Sequence, residues 1–335
     1  ILTCRINGIV HVDLLKFVET AYSQYMQSET LSLNDVSKEF LNDTKNGFEF
    51  KALSKMSDSD WKDYFLYNLQ DSNLTYRLFF KFWNDIREFS RVMQEPPFEI
   101  TRNGMSKNVE SFILHNLHRF NEIPEKRPTH DEIGGRRAMG KYEGAFVFEP
   151  QPGLFEDVAV FDFTSSYGST IVTYNLSKST FLEKPESEKN SYTIETLGKK
   201  VHFSEKPGFF PEMLKEIILL RKKYKQELKA STEKDEEAAI TRARSNAFKL
   251  LANAAYGYQG FFGARYYCRE AAAATAAFAR KAIQDAIKEI NDFGFKTIYS
   301  DTDSIAFLTN KKSKSEILHF LDKLNKDLPG IMELE

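Results

Sequence analysis

The stretch that decides the fold is Lys296 to Leu308, KTIYSDTDSIAFL. Its two ends are rich in residues that favour β-strands, and the Asp and Ser residues between them favour a turn. The pattern therefore predicts a β-hairpin that holds Asp301 and Asp303 at its tip. Like charges at that spacing repel each other unless a cation compensates them. Mg²⁺ is the obvious cation because it binds one or two carboxylates together with water and phosphates. A solvated acidic turn is the alternative interpretation.

The composition is typical of a globular protein and excludes few functions. Of the 335 residues, 41% are hydrophobic and 28% are charged, which predicts two or three domains with ample core. The net charge of −2 gives no overall attraction to nucleic acid, so any such binding depends on local basic patches. Cys4 and Cys268 lie far apart and are expected to be reduced thiols of a cytosolic protein.

The ends of the sequence favour a fragment of a longer protein. The chain lacks an initiator Met, its first residues do not follow a signal-peptide pattern, and no run is as long as a membrane span. Residues 1–15 alternate like a strand, with a turn at Asn7-Gly8 and a second β-like run from Ile9. We expect the sequence to begin within a strand and to end within another, at IMELE.

A mostly helical region follows from Leu14 to Phe89, with its clearest helix starting near Trp61 after a Ser or Asp N-cap. Tyr67 and Asp71 share one face of that helix because they lie four residues apart. A plain amphipathic helix with a polar edge is the alternative interpretation of this pair.

Residues 95–141 are rich in Pro and charge, which predicts connections and a domain boundary. The pair Gly134-Gly135 ahead of two arginines predicts a flexible basic link. Two strands around a turn at 152–153 are expected next, and the run DVAVFDF is apolar enough to predict a buried central strand. That strand delivers Asp162 at its end, where a carboxylate requires a partner.

The remaining sequence predicts an insertion or a hairpin within 176–208, then a pair of long antiparallel helices starting at Pro211. Lys249, Asn253 and Tyr256 share one face of the second helix. Nine basic residues lie on this helical pair: Arg221, Lys222, Lys223, Lys225, Lys229, Lys234, Arg242, Arg244 and Lys249. A solvated, salt-bridged surface is the alternative interpretation, since acidic residues are close by. A third helix rich in small residues suits packing against a sheet and ends at Gly294, and an amphipathic helix follows the acidic hairpin.

Three separated segments occur in the order expected of one protein family. DFTSSYGS at 162–169, KLLANAAYGY at 249–258 and YSDTDS at 299–304 resemble motifs A, B and C of B-family DNA polymerases, especially the archaeal type. YEGAFVFEPQPGL resembles the family's Tyr-x-Gly-Gly/Ala region, PGFFPEMLKEIILLRKKYK its first fingers helix, and YNLQD its third exonuclease motif. The resemblance covers about residue 60 to the end and extends less clearly back to His11-Val12-Asp13-Leu14.

The resemblance implies an α+β fold: a palm whose antiparallel sheet carries the carboxylates, fingers formed by a helical hairpin, and, before them, the C-terminal part of an RNase H-like 3′–5′ exonuclease domain. The implied ranges are 1–95 for the exonuclease-like part, 96–141 for a linker, 142–208 and 263–335 for the palm, and 209–262 for the fingers. The first two exonuclease motifs and the thumb are expected to lie outside this sequence.

The implied activity is template-directed transfer of a dNTP to a primer 3′-hydroxyl with two Mg²⁺ ions, with Mn²⁺ as an alternative ion. Asp162, Asp303 and the Phe163 carbonyl are the implied metal ligands, and Asp301 is an auxiliary carboxylate. Lys249 is an implied acid for the pyrophosphate, and Tyr167 the residue that excludes ribose. The implied nucleotide-binding residues are Ser165, Ser166, Tyr167, Arg221, Lys225, Lys249 and Asn253. Tyr142, Gly144, Ala145, Tyr256 and Gly257 would contact DNA, and Tyr67 and Asp71 would belong to an incomplete exonuclease site.

By the same resemblance, the partners would be primer-template DNA, a dNTP, and a sliding clamp or accessory polymerase subunits, with no membrane. The protein would act in DNA replication or repair in the cytoplasm, associated with the nucleoid.

Motif A departs from the family pattern. The family has Ser-Leu-Tyr-Pro-Ser where this chain has Ser165-Ser166-Tyr167-Gly168-Ser169. Ser for Leu removes an apolar contact, and Gly for Pro is expected to loosen the backbone. In motif B, Ala254 and Ala255 replace a usual Ser and aromatic residue, and Ser245 a usual glutamine. These departures leave open an inactive paralogue that binds DNA as a scaffold, and a nucleotidyltransferase without a template. The retained acidic and basic residues favour an active polymerase.

Overall fold

The structure is a computed structural model that describes residues 6–45, 47–48, 51–150, 152–184, 191–230 and 236–335. The chain divides into two compact units. The first contains Ile1–Phe112 and Tyr224–Leu250, and the second contains Ile113–Lys223 and Leu251–Glu335. These boundaries differ from the five predicted domain ranges, which stay a prediction.

The first unit is built from helices around a long central one. They are α1 (Leu14–Ala21), α2 (Leu33–Leu41), α3 (Asp58–Met93), α4 (Pro97–Ile100) and the start of α5 (Met105–Asn116). Helix α3 begins with a capping box, in which Ser57 and Asp60 each accept a hydrogen bond from the other's backbone N–H. Its buried side recurs every three or four residues, and Phe82 and Phe89 pack edge-on against Phe17 of α1. The helical prediction for this region is confirmed.

The beginning of the first unit corrects the β-like prediction. The turn at Asn7-Gly8 is present, with Gly8 at φ +83°, but residues 9–13 form no strand. The Asp13 carboxylate instead caps α1 by accepting a hydrogen bond from Lys16 N–H, so a helix begins where the strand was expected to continue. The first five residues, including Cys4, lie outside the described residues.

The second unit contains an antiparallel four-stranded sheet in the order β1-β6-β7-β2. The strands are β1 (Val147–Phe148), β2 (Val158–Asp162), β6 (Lys296–Asp301) and β7 (Ser304–Leu308). The β6–β7 pair confirms the predicted acidic hairpin. The prediction of a buried central strand at DVAVFDF is wrong, because β2 lies at the end of the strand order and exposes Val158 and Val160. Only alternate side chains, such as Phe161, reach the core.

A three-stranded sheet forms the other β-structure of this unit. Its strands are β3 (Phe181–Leu182), β4 (Ser191–Thr196) and β5 (Lys199–Ser204), in the order β3-β5-β4. The predicted hairpin is confirmed, and Leu197 and Gly198 turn it with positive φ angles of 56° and 69°. Helix α7 (Ser166–Thr173) precedes this sheet in the chain.

Helix α10 (Arg269–Asp292) packs against both sheets with its small residues. Ala271 and Ala274 join the cluster around Val201 and Phe203 of the three-stranded sheet, while Ala282 and Ala286 join the cluster of the four-stranded sheet. The prediction of close packing against a sheet is confirmed. Helix α11 (Lys314–Asp327) covers the second cluster and contributes Phe320 and Leu324.

The predicted flexible link at Gly134-Gly135 is wrong. These glycines lie inside α6 (His130–Ala138), which starts with a capping box between Thr129 and Glu132. Arg136 fixes the helix by donating hydrogen bonds to the carbonyls of Phe262 and Ala264. The cap and these tertiary bonds outweigh the low helix propensity of glycine.

The predicted helical pair consists of α8 (Phe209–Ala230) and α9 (Glu236–Gly260). Both helices pass from one unit into the other, and Tyr224 of α8 stacks on Phe248 of α9. The connection at 231–235, with Lys234, lies outside the described residues. Among the helices of the described ranges, none is both long and apolar enough to span a membrane.

Candidate active site

Two carboxylates that are remote in sequence meet at the β2–β7 pair. Asp162 lies opposite Ser304 in the strand register, and Asp303 directly precedes Ser304, close enough for its charge to act on Asp162. The Phe163 N–H donates a hydrogen bond to the Asp303 carbonyl at 2.8 Å, which fixes the two segments to each other. Asp301 ends β6 on the other side of the turn, where its carboxylate accepts a hydrogen bond from the Thr302 hydroxyl. The structure therefore brings together the three acidic residues predicted from motifs A and C.

The electrostatics of this pair favour a bound cation. Burial raises the pKa of Asp162, and the charges of Asp303 and Glu335 raise it further. Burial also raises the pKa of Asp303, with a contribution from Asp301. Partly buried negative groups that lie this close together create a site where a positive charge is stabilised.

The donor set consists of oxygen atoms, the ligands that hard divalent cations bind. Within the described ranges, no group of three or more His, Cys, Asp or Glu side chains forms a ready metal cluster. Mg²⁺ takes one or two carboxylates and completes its shell with water and substrate phosphates. Asp162, Asp303 and the backbone carbonyl of Phe163 supply oxygen donors of this kind.

Glu335 is a neighbour of Asp162 that the sequence prediction missed. The backbones of the two residues exchange hydrogen bonds of 3.0 and 2.9 Å, and Phe163 and Leu334 form a β-bridge beside them. The available signal was the acidic ELE run, but nothing in its local pattern indicates which strand it joins.

The turn of motif A is held by a guanidinium group. Ser165 has a left-handed backbone with φ 52° just before α7, and its hydroxyl accepts a hydrogen bond from Arg221 at 2.6 Å. Gly168, which replaces the family's Pro, is buried in α7. A Cβ there would lie 3.2 Å from the Ile218 side chain, so the small residue allows α8 to pack closely. Ser166 is buried, and its carbonyl accepts hydrogen bonds from the hydroxyls of Ser169 and Thr170.

Three tyrosines from three segments form one cluster beside motif A. The Tyr167 and Tyr256 rings stack with centroids 4.2 Å apart, and the Tyr142 and Tyr256 hydroxyls are 3.3 Å apart. Burial raises the pKa of Tyr167 and of Tyr256, and the hydrogen bond to Tyr142 adds to the effect at Tyr256. Gly257 is exposed and has open space beside its Cα, whereas Gly144 offers its carbonyl to Arg280.

The other predicted nucleotide-binding residues belong to different units. The Lys249 ammonium lies 4.5 Å from the centroid of the Tyr25 ring, and Lys225 is in the same first unit. Asn253 is exposed on the part of α9 in the second unit. The roles assigned to these three residues stay predictions.

The predicted exonuclease residues contact a lysine that sequence reasoning missed. The Lys45 ammonium donates a hydrogen bond to the Tyr67 hydroxyl at 2.6 Å, and its nitrogen lies 2.8–2.9 Å from the two Asp71 carboxylate oxygens. Asp71 also borders a largely apolar cleft of ≈ 900 Å³ within the first unit. Lys45 follows a polar loop with no periodic pattern, so the sequence gives no signal for this contact.

Comparison with known proteins decides the family. The sequence model described as DNA polymerase family B matches residues 98–330. The chain belongs to DNA polymerase family B. This confirms the resemblance inferred from the motifs.

Two archaeal DNA polymerases are among the relatives of this chain. The DNA polymerase of Thermococcus gorgonarius is 34% identical over 274 residues, covering 80% of this chain and 35% of the relative. DNA polymerase 1 of Pyrococcus abyssi strain GE5 is 29% identical over 344 residues, covering 100% of this chain and 43% of the relative. The chain thus spans less than half the length of these curated relatives.

A solved family B structure shares the fold. The family B DNA polymerase from the hyperthermophilic archaeon Pyrobaculum calidifontis matches 99% of this chain and 42% of its own, with a TM-score of 0.73 and 27% identity. The predicted α+β class agrees with this neighbour and with the helices and antiparallel sheets described above.

Proposed function

We propose that this chain carries the polymerising core of a DNA-directed DNA polymerase. The observation that supports it most is the meeting of Asp162, at the end of β2, with Asp303, in the turn before β7, together with the Arg221–Ser165 contact. The archaeal relatives are themselves named DNA polymerases. The reaction would join a dNTP to a primer 3′-hydroxyl and release pyrophosphate.

The proposed domains follow from where these residues lie. The four-stranded sheet would be the palm because it carries the carboxylates, and helices α8 and α9 would be the fingers. The helices before residue 96 would be the end of an exonuclease-like domain, with 96–141 as the link. The palm would comprise 142–208 and 263–335, and the fingers 209–262.

In the proposed mechanism, Asp162, Asp303 and the Phe163 carbonyl would hold the metal ions, and Asp301 would add negative potential nearby. Two Mg²⁺ ions, or Mn²⁺, would stabilise charge on the attacking and leaving oxygens. The protein otherwise positions groups and neutralises charge.

The triphosphate would be bound by basic residues and by the motif A turn. Arg221, Lys225 and Lys249 supply positive charge, and Ser165, Ser166 and Asn253 supply polar contacts. Lys249 would donate a proton to the departing pyrophosphate. Its ammonium would then contact the phosphates instead of the Tyr25 ring.

Sugar and base would be read by the tyrosine cluster. Tyr167 is stacked on Tyr256, so its ring has little freedom to move away from an extra 2′-hydroxyl. Tyr142, Gly144 and Ala145 would guide the template, and the open side of Gly257 leaves room for the nascent base pair.

Primer extension with Mg²⁺ tests this proposal. The wild-type chain and Asp303→Ala are compared with Asp322→Ala, an exposed carboxylate on α11. We expect synthesis by the wild type and Asp322→Ala, and loss of at least about 10³-fold in Asp303→Ala, because the metals lose a ligand. No synthesis by any of the three, together with binding of primer-template, would favour the scaffold candidate that the altered motif A suggests. Extension of a single strand without a template would indicate a nucleotidyltransferase instead.

A further inference from the structure

Arg280 on α10 binds the backbone of the segment that carries Tyr142. Its guanidinium donates hydrogen bonds to the carbonyls of Glu143 at 2.9 Å and Gly144 at 2.5 Å, and it lies 2.9 Å from the Glu143 carboxylate. The Arg280 side chain is only 13% exposed, whereas Glu143 is 76% exposed. The two carbonyl bonds are therefore the main contacts of this arginine, and both are donated by Nη1, while Nη2 faces the Glu143 carboxylate.

The segment at 142–144 connects Arg280 through direct contacts to Tyr167, the residue proposed to exclude ribose. The hydroxyl of Tyr142 lies 3.3 Å from that of Tyr256, whose ring stacks on Tyr167. A Cβ at Gly260 would come within 2.8 Å of the Tyr142 hydroxyl. The backbone at the end of α9 therefore lies close to Tyr142 and leaves its side chain little room to move. The positive charge of Arg280 also opposes the rise in the pKa of both Tyr167 and Tyr256. Both the position and the polarity of the cluster thus depend on the arginine.

We propose that Arg280 is a positioning residue for sugar discrimination: by fixing the carbonyls after Tyr142, it holds the Tyr142–Tyr256–Tyr167 contacts that keep the Tyr167 ring against the nucleotide ribose. The inference rests on the proposed polymerase function. Arg280 itself touches neither the carboxylates nor, in this proposal, the nucleotide. Its removal therefore affects which sugar is accepted more than whether dNTPs are joined.

Three variants separate geometry from charge. Arg280→Met removes the donors and the charge. Arg280→Lys keeps the charge but has one nitrogen, so it cannot serve the two carbonyls and the Glu143 carboxylate with separate nitrogens as Arg280 does. Tyr142→Phe removes only the hydroxyl contact. Lys281→Met is the matched control, since it removes a positive charge from the exposed neighbouring position of the same helix. Melting temperatures establish that each variant is folded.

The readout is the ratio of kcat/KM for a dNTP to that for the corresponding ribonucleotide. We expect Arg280→Met to lower this ratio about tenfold or more, since small displacements in an oriented site have large kinetic effects. Arg280→Lys and Tyr142→Phe should fall between Arg280→Met and wild type, and Lys281→Met should equal wild type. An unchanged ratio in folded Arg280→Met overturns the inference, as does an equal loss in Lys281→Met.

Hydrogen exchange supplies a readout without catalysis. In Arg280→Met we expect faster amide exchange at 142–145 and at 165–169, the second being the segment of Tyr167. If the wild type incorporates neither nucleotide, the proposed function fails. The exchange result then decides whether Arg280 controls the cluster: unchanged exchange at 165–169 overturns it.

Discussion

Asp162 and Asp303 repel each other across β2 and β7, and burial raises the pKa of both. Above these raised values both groups are ionised and the repulsion is complete, whereas protonation relieves it as the pH falls through them. In buffer without divalent ions at pH 7, we expect Asp303→Asn to raise the melting temperature by roughly one or two degrees. Differential scanning fluorimetry measures this, with Asp322→Asn on the exposed side of α11 as the control. A lower melting temperature for Asp303→Asn would contradict the argument.

Added Mg²⁺ should stabilise the wild type and not Asp303→Asn, which reverses the order expected without divalent ions. A ligand that binds only the folded chain stabilises it, so Mg²⁺ should raise the melting temperature of the wild type and leave Asp303→Asn unchanged. Since protons compete for the same carboxylates, the Mg²⁺ effect should weaken as the pH is lowered toward the raised pKa values. Calorimetric titration at several pH values measures the affinity. Equal Mg²⁺ binding by both proteins would place the ion elsewhere.

At the scale of single residues, the sequence predicted what local pattern and motif order encode. Asp162 was found because it ends a short β-prone run, and Asp303 was found because it lies in the turn between two such runs. Lys45 and Glu335 were missed because their partners, Asp71 and Asp162, are chosen by tertiary packing and not by neighbours in sequence. Arg280 was missed for the same reason.

Among the secondary-structure elements, α3 and α9 are joined within the first unit by a buried carboxylate. Glu88 is 0% exposed and lies 2.7 Å from Arg244, 3.3 Å from Arg91 and 3.8 Å from Arg87. Glu88→Gln removes the charge that these guanidinium groups share. We expect it to lower the free energy of unfolding by about 2–3 kcal/mol, as for hydrogen bonds to charged groups. Urea denaturation followed by circular dichroism measures the change.

The matched control for Glu88 is Glu29→Gln, an exposed position of the same unit. A surface substitution of this kind is expected to change stability by less than about 0.5 kcal/mol. Equal effects of the two substitutions would show that the buried ion pairs contribute little.

Gly257 offers a prediction for α9 that separates stability from function. It is an exposed glycine inside a helix with open space around it, so Gly257→Ala should stabilise the fold by up to about 1 kcal/mol. If the base pair lies there, the added methyl should also weaken primer-template binding about tenfold. Gly134→Ala in α6, equally open, should stabilise without changing DNA binding. Fluorescence anisotropy gives the affinity, and wild-type binding by Gly257→Ala would exclude the proposed contact.

At the level of elements, most helices and the acidic hairpin were predictable, since their periodicity and caps are local. The errors arose where long-range contacts decide. Gly134-Gly135 became helical because a capping box and Arg136 hold α6. β2 lies at the end of the sheet order because it pairs with β7 on one side, while on the other side its last residue, Asp162, bonds to Glu335. An apolar run indicates a strand but not its place in the sheet.

For the whole molecule, the balance of 46 basic and 48 acidic residues means that long-range attraction to DNA is weak. Binding of primer-template should then depend on a few local phosphate contacts. With roughly three such contacts, the affinity should fall by a few tens of times between about 50 and about 200 mM KCl. Anisotropy titrations across this range give the slope. An affinity independent of salt would show that phosphates contribute little to binding.

The alanines of α10 pack tightly against both sheets, Ala271 and Ala274 in the cluster of the three-stranded sheet and Ala282 and Ala286 in the cluster of the carboxylate-bearing sheet. A bulkier residue on that helix would therefore act as a wedge and tilt the strands that hold Asp162 and Asp303, although it touches neither of them. Tolerance to mutation along α10 is thus limited by side-chain size, because the size of these residues sets the position of the strands. The geometry of the two carboxylates therefore depends on residues that do not contact them.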